Sequence, residues 1–256
     1  MVTDTPAGTA LVTGGARRLG RAIVEDLAAH GWAVAIHCRN SRAEADALAA
    51  EISGRGGRAA VVVADFADPH AAAPVIDEAA AALGPLTLLV NNASLFERDG
   101  VGTIEVERWN RQLAVNVTAP AMLSQAFAAQ VPAGVEGNII NMLDQRVWRP
   151  TPHYQSYQVS KAALYKMTET MAQALAPHIR VNAIAPGPTM PSSKQSEARF
   201  QRMTDAILLG RAPALTDFGR TVRYIVEMRS MTGHVIALDS GQRLGWRTPD
   251  LAELDD

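Results

Sequence analysis

Tyr157 and Lys161 stand four residues apart in a stretch, Tyr154 to Ala176, whose apolar positions recur at helical spacing. At that separation on a helix the phenol and the ammonium share one face, one turn apart. An ammonium beside a phenol favours the phenolate and draws an ordinary pKa of about 10 toward working pH, so the tyrosine can give or take a proton as a hydride moves. Such pairs are common on helices, and the meaning of this one depends on what the rest of the chain brings to it.

A second group of residues has the chemistry of an anion site. Thr13-Gly14-Gly15-Ala16-Arg17-Arg18-Leu19-Gly20 follows a short apolar run and opens a helical stretch. Gly14 can supply a tight turn, Gly20 lets helix and strand approach closely, and free N–H groups at the helix start face an anion. The strict G-x-G-x-x-G spacing is absent. At the end of the next strand the chain reads His37-Cys38-Arg39-Asn40-Ser41, without the Asp or Glu that dinucleotide folds preferring NAD carry there. Arg39 and the Ser41 hydroxyl, with Asn40 between them, instead suit a 2′-phosphate, and Arg17 or Arg18 adds charge nearby. NADPH is therefore expected over NADH, against the plainer reading of Arg39 as a solvated strand-end residue. Asp65-Phe66, closing the third strand, is placed for an adenine edge.

The elements that must position these residues alternate. Apolar runs of strand length at 9–13, 32–38, 58–63, 86–91, 138–142, 180–184 and 234–238 are separated by stretches of helical period at 19–30, 43–52, 69–83, 106–130 and 154–176, with further helical segments near 200–209 and 217–231. This predicts a single-domain α/β protein over 1–256, a Rossmann-type doubly wound, seven-stranded, mostly parallel sheet with helices on both faces. Such sheets bind ligands beyond the carboxyl ends of their strands, where the glycine turn and Arg39 fall.

Composition narrows the partners. The 256 residues carry 24 basic and 26 acidic side chains, a formal charge of −2, so no basic field exists to hold nucleic acid or an anionic membrane. Cys38 is the only cysteine, which rules out an intramolecular disulfide and a four-cysteine zinc site, and the six histidines show no metal spacing. His153, His178 and His234 read as loop or strand-edge residues. No secretory signal pattern precedes the first strand and no run of about 18 apolar residues occurs, so a cytoplasmic protein with a small-molecule partner is expected.

Taken together, Thr13-Gly14 to Gly20, Asn91-Asn92-Ala93 after the fourth strand, Asn116 within Val115-Asn116-Val117, Tyr157 with Lys161, and Pro186-Gly187 after the sixth strand resemble the short-chain dehydrogenase/reductase family in order and spacing. The resemblance implies that Tyr157 is the general acid, that Lys161 binds the nicotinamide ribose and tunes the tyrosine, and that Asn116 holds a water in a proton relay. It further implies that Asn92-Ala93 lines the adenosine side and Pro186-Gly187 the nicotinamide. A loop at about 188–215 would cover the substrate. Homotetramers would form through the helices containing Asn116 and Tyr157, with the tail Gly241 to Trp246, and Arg247, reaching toward a neighbour's pocket.

Two departures from the family pattern bear on the substrate. Where most members carry a serine that polarises a carbonyl, this chain has Asp144. A carboxylate stabilises a developing oxyanion poorly, but protonated, or shared with a tyrosine, it can deliver a proton to a ring nitrogen. Arg18 replaces the middle glycine of the first turn. Both changes resemble the pteridine reductase branch, as does Asn92-Ala93-Ser94-Leu95-Phe96, an Asn-Ala-Ser followed two residues on by an aromatic. The resemblance implies a pterin stacked on Phe96, hydrogen-bonded by Ser94, with Arg18 near its polar edge. A core phenylalanine, a capping serine and a phosphate-only arginine are the plainer alternatives, and Trp148 serves equally as a pocket wall or a core cover. A ketone or acyl-chain reductase, and a protein that senses NADP(H) without turnover, are the competing functions. Asp144 and Phe96 speak against the first, and an intact Tyr157, Lys161 and Asn116 against the second.

Overall fold

The strand Trp32–Cys38 is buried at every residue, as a strand covered by helices on both faces must be. In the computed structural model, which describes residues 7–68, 70–191 and 196–246, it is β2 of a seven-stranded sheet ordered β3-β2-β1-β4-β5-β6-β7. The others are β1 (Gly8–Val12), β3 (Ala59–Val63), β4 (Leu88–Asn91), β5 (Gly137–Met142), β6 (Ile179–Pro186) and β7 (Val235–Leu238). Every pairing is parallel, so the expectation of a mostly parallel sheet understated the regularity.

One face is covered by α1 (Arg18–Ala29), α2 (Arg42–Gly54) and α8 (Leu215–Glu227), whose Ile23, Leu27, Leu48 and Phe218 pack on Val34 and Ile36. The other is covered by α3 (Ala72–Leu83), α5 (Ala119–Gln130) and α6 (Gln155–Leu175), whose Ile76, Leu123 and Phe127 pack on Leu89 and Ile139. Strand order reverses at β1, which lies between β2 and β4, and opens a crevice above the strand ends.

The expected helix 106–130 is three elements: α4 (Val106–Leu113), a π-helical turn over Ala114–Thr118, and α5. Pro120, in the first turn of α5, has no N–H to return to the Asn116 carbonyl four residues back, and the α-helical ladder is interrupted there by the wider turn. The expected helix at 69–83 begins at Ala72, and Pro69 lies outside the described residues. The expected 200–209 helix is α7 (Glu197–Asp205), started early because Ser196 Oγ accepts from Arg199 N. It lies inside the segment assigned as a loop at 188–215, of which 192–195 are outside the described residues. No helix among the described residues is long and apolar enough to cross a membrane, and none of their acidic, histidine and cysteine side chains cluster as metal ligands.

Candidate active site

The turn after β1 folds as the glycines require. Gly14 has φ +62°, and a Cβ on Gly20 would stand 2.2 Å from the Gly14 carbonyl oxygen, so only glycine fits position 20. Arg18, which occupies a family glycine position, also takes a left-handed φ of 53°. The turn is tied to its neighbours by His37, whose role was not apparent from the sequence. Gly14 N–H donates to His37 Nδ1 (3.1 Å), so the ring proton is on Nε2, 3.1 Å from the Ala64 carbonyl it donates to. Burial lowers the His37 pKa to about 4, keeping the ring neutral. Phe66, expected at the cofactor, lines the groove over the strand ends and is also stacked on His37 with centroids 4.1 Å apart, so its ring supports the histidine as well.

A groove of about 400 Å³ runs over these strand ends, lined by the expected Gly14, Arg17, Arg18, Leu19, Gly20, Arg39, Asn40, Ser41, Asp65, Asn92, Ala93 and Ser94. Arg39 lies 3.8 Å from Asp65 and Arg17 3.4 Å from Glu44, all four near the surface. Asn92 Nδ2 donates to the Thr13 carbonyl (2.7 Å), and the N–H groups of Asn92 and Ala93 both donate to Thr13 Oγ1, so this pair also clamps β4 to β1. Cationic side chains at the end of β2, with glycine backbone beneath them, suit a dinucleotide bearing an extra phosphate.

A larger cavity of about 1090 Å³ adjoins the groove through Arg18, Leu19, Asn92 and Ser94, and brings together Phe96, Asp144, Tyr157, Lys161, Pro186 and Gly187. The Tyr157 hydroxyl donates to Asp144 Oδ2 at 2.9 Å. Asp144 also accepts from Arg146 N (2.9 Å) and Arg146 Nη1 (3.1 Å), so three donors converge on one carboxyl group. Burial, and next the charge and hydrogen bond of Asp144, raise the Tyr157 pKa well above its usual value. This reverses the expectation that Lys161 draws the phenol toward ionisation. Lys161 Nζ donates instead to the Met142 carbonyl (2.7 Å) and lies 5.7 Å from the centre of the tyrosine ring. Its own pKa falls to about 8 through burial, against the pull of Asp144.

Asn116 lines neither cavity. Fully buried in the π-helical turn, it donates to the Leu95 carbonyl and Ser160 Oγ and accepts from Leu95 N and Ser94 Oγ. Its side-chain amide is saturated and holds the segment that carries Ser94 and Phe96, so a relay water would bind the main-chain carbonyl of Asn116 instead.

Phe96 is 45% exposed and its ring stacks on Tyr154 (4.4 Å, 11°) and meets Tyr157 edge to face (4.7 Å). Arg146 lies beside this stack, 5.4 Å from the Phe96 centroid and 5.5 Å from that of Tyr154. Sequence reading missed both Tyr154 and Arg146. Their signals were spacing, one helical turn before Tyr157 and two residues after Asp144. Arg18 reaches across the mouth and donates to the carbonyls of Pro191 (2.9 Å) and Met190 (3.4 Å). Gly187 sits where a Cβ would strike the Asp239 backbone at 2.7 Å. Trp148 lies outside the cavity and packs under Arg243 (5.2 Å). In the tail, the Gln242 carbonyl accepts from Arg149 (2.7 Å) and Gln242 lines the larger cavity. Arg247 lies outside the described residues.

The short chain dehydrogenase family pattern matches residues 8–202. A short-chain type dehydrogenase/reductase of Picea abies is 33% identical, the match covering 91% of each chain. The dihydromonapterin reductase of Klebsiella pneumoniae is 30% identical over 91% of this chain and 96% of its own. Among solved structures, FolM alternative dihydrofolate reductase 1 from Brucella canis, complexed with NADP, superposes with a TM-score of 0.93 at 50% identity, covering 96% of this chain and 97% of that one.

Proposed function

The chain belongs to the short-chain dehydrogenase family and is an oxidoreductase, and on that premise we propose that it uses NADPH to reduce a C=N bond of a dihydropterin or of dihydrofolate. One observation carries the substrate: a buried phenol donates to a carboxyl group, Tyr157 to Asp144, at the place where a carbonyl-reducing member would present a serine hydroxyl. The likeness to a dihydromonapterin reductase and to an alternative dihydrofolate reductase supports the same reading.

The glycine turn, Arg39 and Ser41 at the extra phosphate, and Tyr157, Lys161 and Gly187 near the reacting end would hold NADPH, which would supply the hydride. The residues of the chain do the rest. Tyr157 is protonated in the resting site, because burial and the adjoining Asp144 both penalise the phenolate. Its one proton is shared with Asp144 Oδ2, which Arg146 holds in place, and this pair would pass it to a ring nitrogen as the hydride adds to carbon, a proton from solvent then restoring the phenol. Phe96, braced by Tyr154, offers an apolar face to a flat ring, and Ser94 and Arg18 offer hydrogen bonds at its edge. Arg18 also holds the 190–191 carbonyls across the mouth of the cavity.

The enzyme works as a cytoplasmic homotetramer in this reading, on the strength of the family resemblance, and light scattering tests the assembly. The chemistry is tested by following NADPH absorbance with dihydropterins, dihydrofolate and a panel of ketones. Turnover confined to ketones overturns the proposal.

A further inference from the structure

Asp99 is a buried carboxyl group in the segment between Phe96 and α4, outside both cavities and unused by the chemistry above. It is 4% exposed, and no arginine, lysine or histidine pairs with it among the described residues. Its partners are at the start of α6, the helix that carries Tyr157. Both carboxylate oxygens accept from Ser156 N–H (3.2 Å each), Oδ2 accepts from Ser156 Oγ (2.5 Å), and the Asp99 carbonyl accepts from Tyr154 N–H (2.8 Å). α6 has no side-chain cap of its own, because the residue at its cap position is Tyr154, in a left-handed conformation at φ 62°. A tyrosine neither favours that backbone nor caps a helix, so something outside the helix must supply both the acceptor and the restraint.

We propose that Asp99 is a positioning residue for the reaction: it caps α6 from another segment and so sets Tyr154, Phe96 and the Tyr157 hydroxyl in one rigid arrangement. The positive end of a 21-residue helix compensates the buried carboxylate, which explains the missing counter-cation. The link continues to the other side of the aromatic wall. Gln112, fully buried, donates to Ser156 Oγ and accepts from Glu97 N–H (3.3 Å). Phe96 is therefore followed directly by a residue tied to Ser156 through Gln112, and three residues on by one tied to Ser156 itself. The stack of Phe96 on Tyr154 and the edge contact of Phe96 with Tyr157 are held between these ties.

This rests on the proposed pterin reduction only for the choice of assay. The experiment compares Asp99→Ala, Asp99→Asn and Ser156→Ala with the wild type, using NADPH with 7,8-dihydrobiopterin, or with whichever ketone the wild type reduces should it prove a carbonyl reductase. That outcome removes the pterin reading and leaves this one to be judged on the ketone. Asp99→Ala is expected to lower kcat at least tenfold, since a displacement on the ångström scale can cost a hundredfold, while the NADPH dissociation constant stays within twofold. The Asn variant keeps an acceptor for Ser156 N–H and should recover kcat to within threefold of the wild type. Ser156→Ala, which keeps the backbone donor, should fall between them. Independently of turnover, hydrogen exchange of the Tyr154 and Ser156 amides should quicken at least tenfold in Asp99→Ala and return in Asp99→Asn. Unchanged exchange and kcat in Asp99→Ala overturn the proposal, as does a parallel loss of kcat and NADPH affinity. Should Asp99→Ala fail to fold, wild-type kcat and exchange in Ser156→Ala overturn it equally.

Discussion

The hydroxyl of Tyr157 and the Oδ2 of Asp144 are 2.9 Å apart, although the two residues sit on different elements, one in α6 and the other just beyond β5. Arg146, two residues past Asp144, closes on the same carboxyl group, so the phenol faces an acceptor that is already oriented. On this pair the two enzyme readings of the chain predict different outcomes.

Asp144→Ser should lower kcat/KM for a dihydropterin by about tenfold to a hundredfold, up to the bottom of the range an acid/base group contributes, and should leave ketone reduction unchanged or improved. Measuring both activities in that one variant decides the matter. Unimpaired pterin reduction would separate Asp144 from the reaction.

Tyr157→Phe should abolish most turnover with any substrate while NADPH binding, followed by fluorescence titration, persists. Only the hydroxyl is removed, and the ring that meets Phe96 edge to face remains. A kcat near that of the wild type would mean that the proton comes from elsewhere.

For the cofactor, the wild type should prefer NADPH to NADH, and Arg39→Ala should reduce the ratio of their kcat/KM values by roughly tenfold, about 1.4 kcal/mol for one charge-assisted contact. Asp65, 3.8 Å away, competes for the same guanidinium, so Asp65→Asn should move the ratio in the opposite direction. Equal use of both cofactors by the wild type would refute the assignment of the extra phosphate to the end of β2.

His37 gives the fold a dependence on acid. Its pKa is about 4 in the folded chain against 6.5 for a free histidine, so the unfolded chain binds a proton that the folded one refuses between those values. The contribution is present above pH 6.5 and lost as pH falls through about 4, and it amounts to at most about 3.4 kcal/mol. Urea unfolding of the wild type and of His37→Gln at pH 7.5 and 4.5 should show the steeper loss in the wild type. Parallel curves would mean that the ring carries no such burden.

Part of the site is legible in the sequence because its cues are local. Gly14 and Gly20 announce a turn through backbone requirements, and Tyr157 and Lys161 announce a shared helical face through spacing. The break in the 106–130 helix was not read from the sequence, although Pro120, through its missing N–H, marks it. Asp99 offers nothing of the kind, since its partner Ser156 lies 57 residues ahead and no periodicity links them.

From the sequence alone came the alternation of strands and helices, the parallel sheet it enforces, and the identity of the residues delivered to the strand ends, because these follow from hydrophobic period and turn chemistry along short stretches of chain. Tertiary structure decided which charge meets which group. Lys161 donates to the Met142 carbonyl, Asp144 faces the phenol, and Asn116 gives its whole side-chain amide to Leu95, Ser94 and Ser160. Hydrogen-bond partners are chosen by direction and by distances of about 3 Å between segments remote in the chain, and no local pattern encodes that choice.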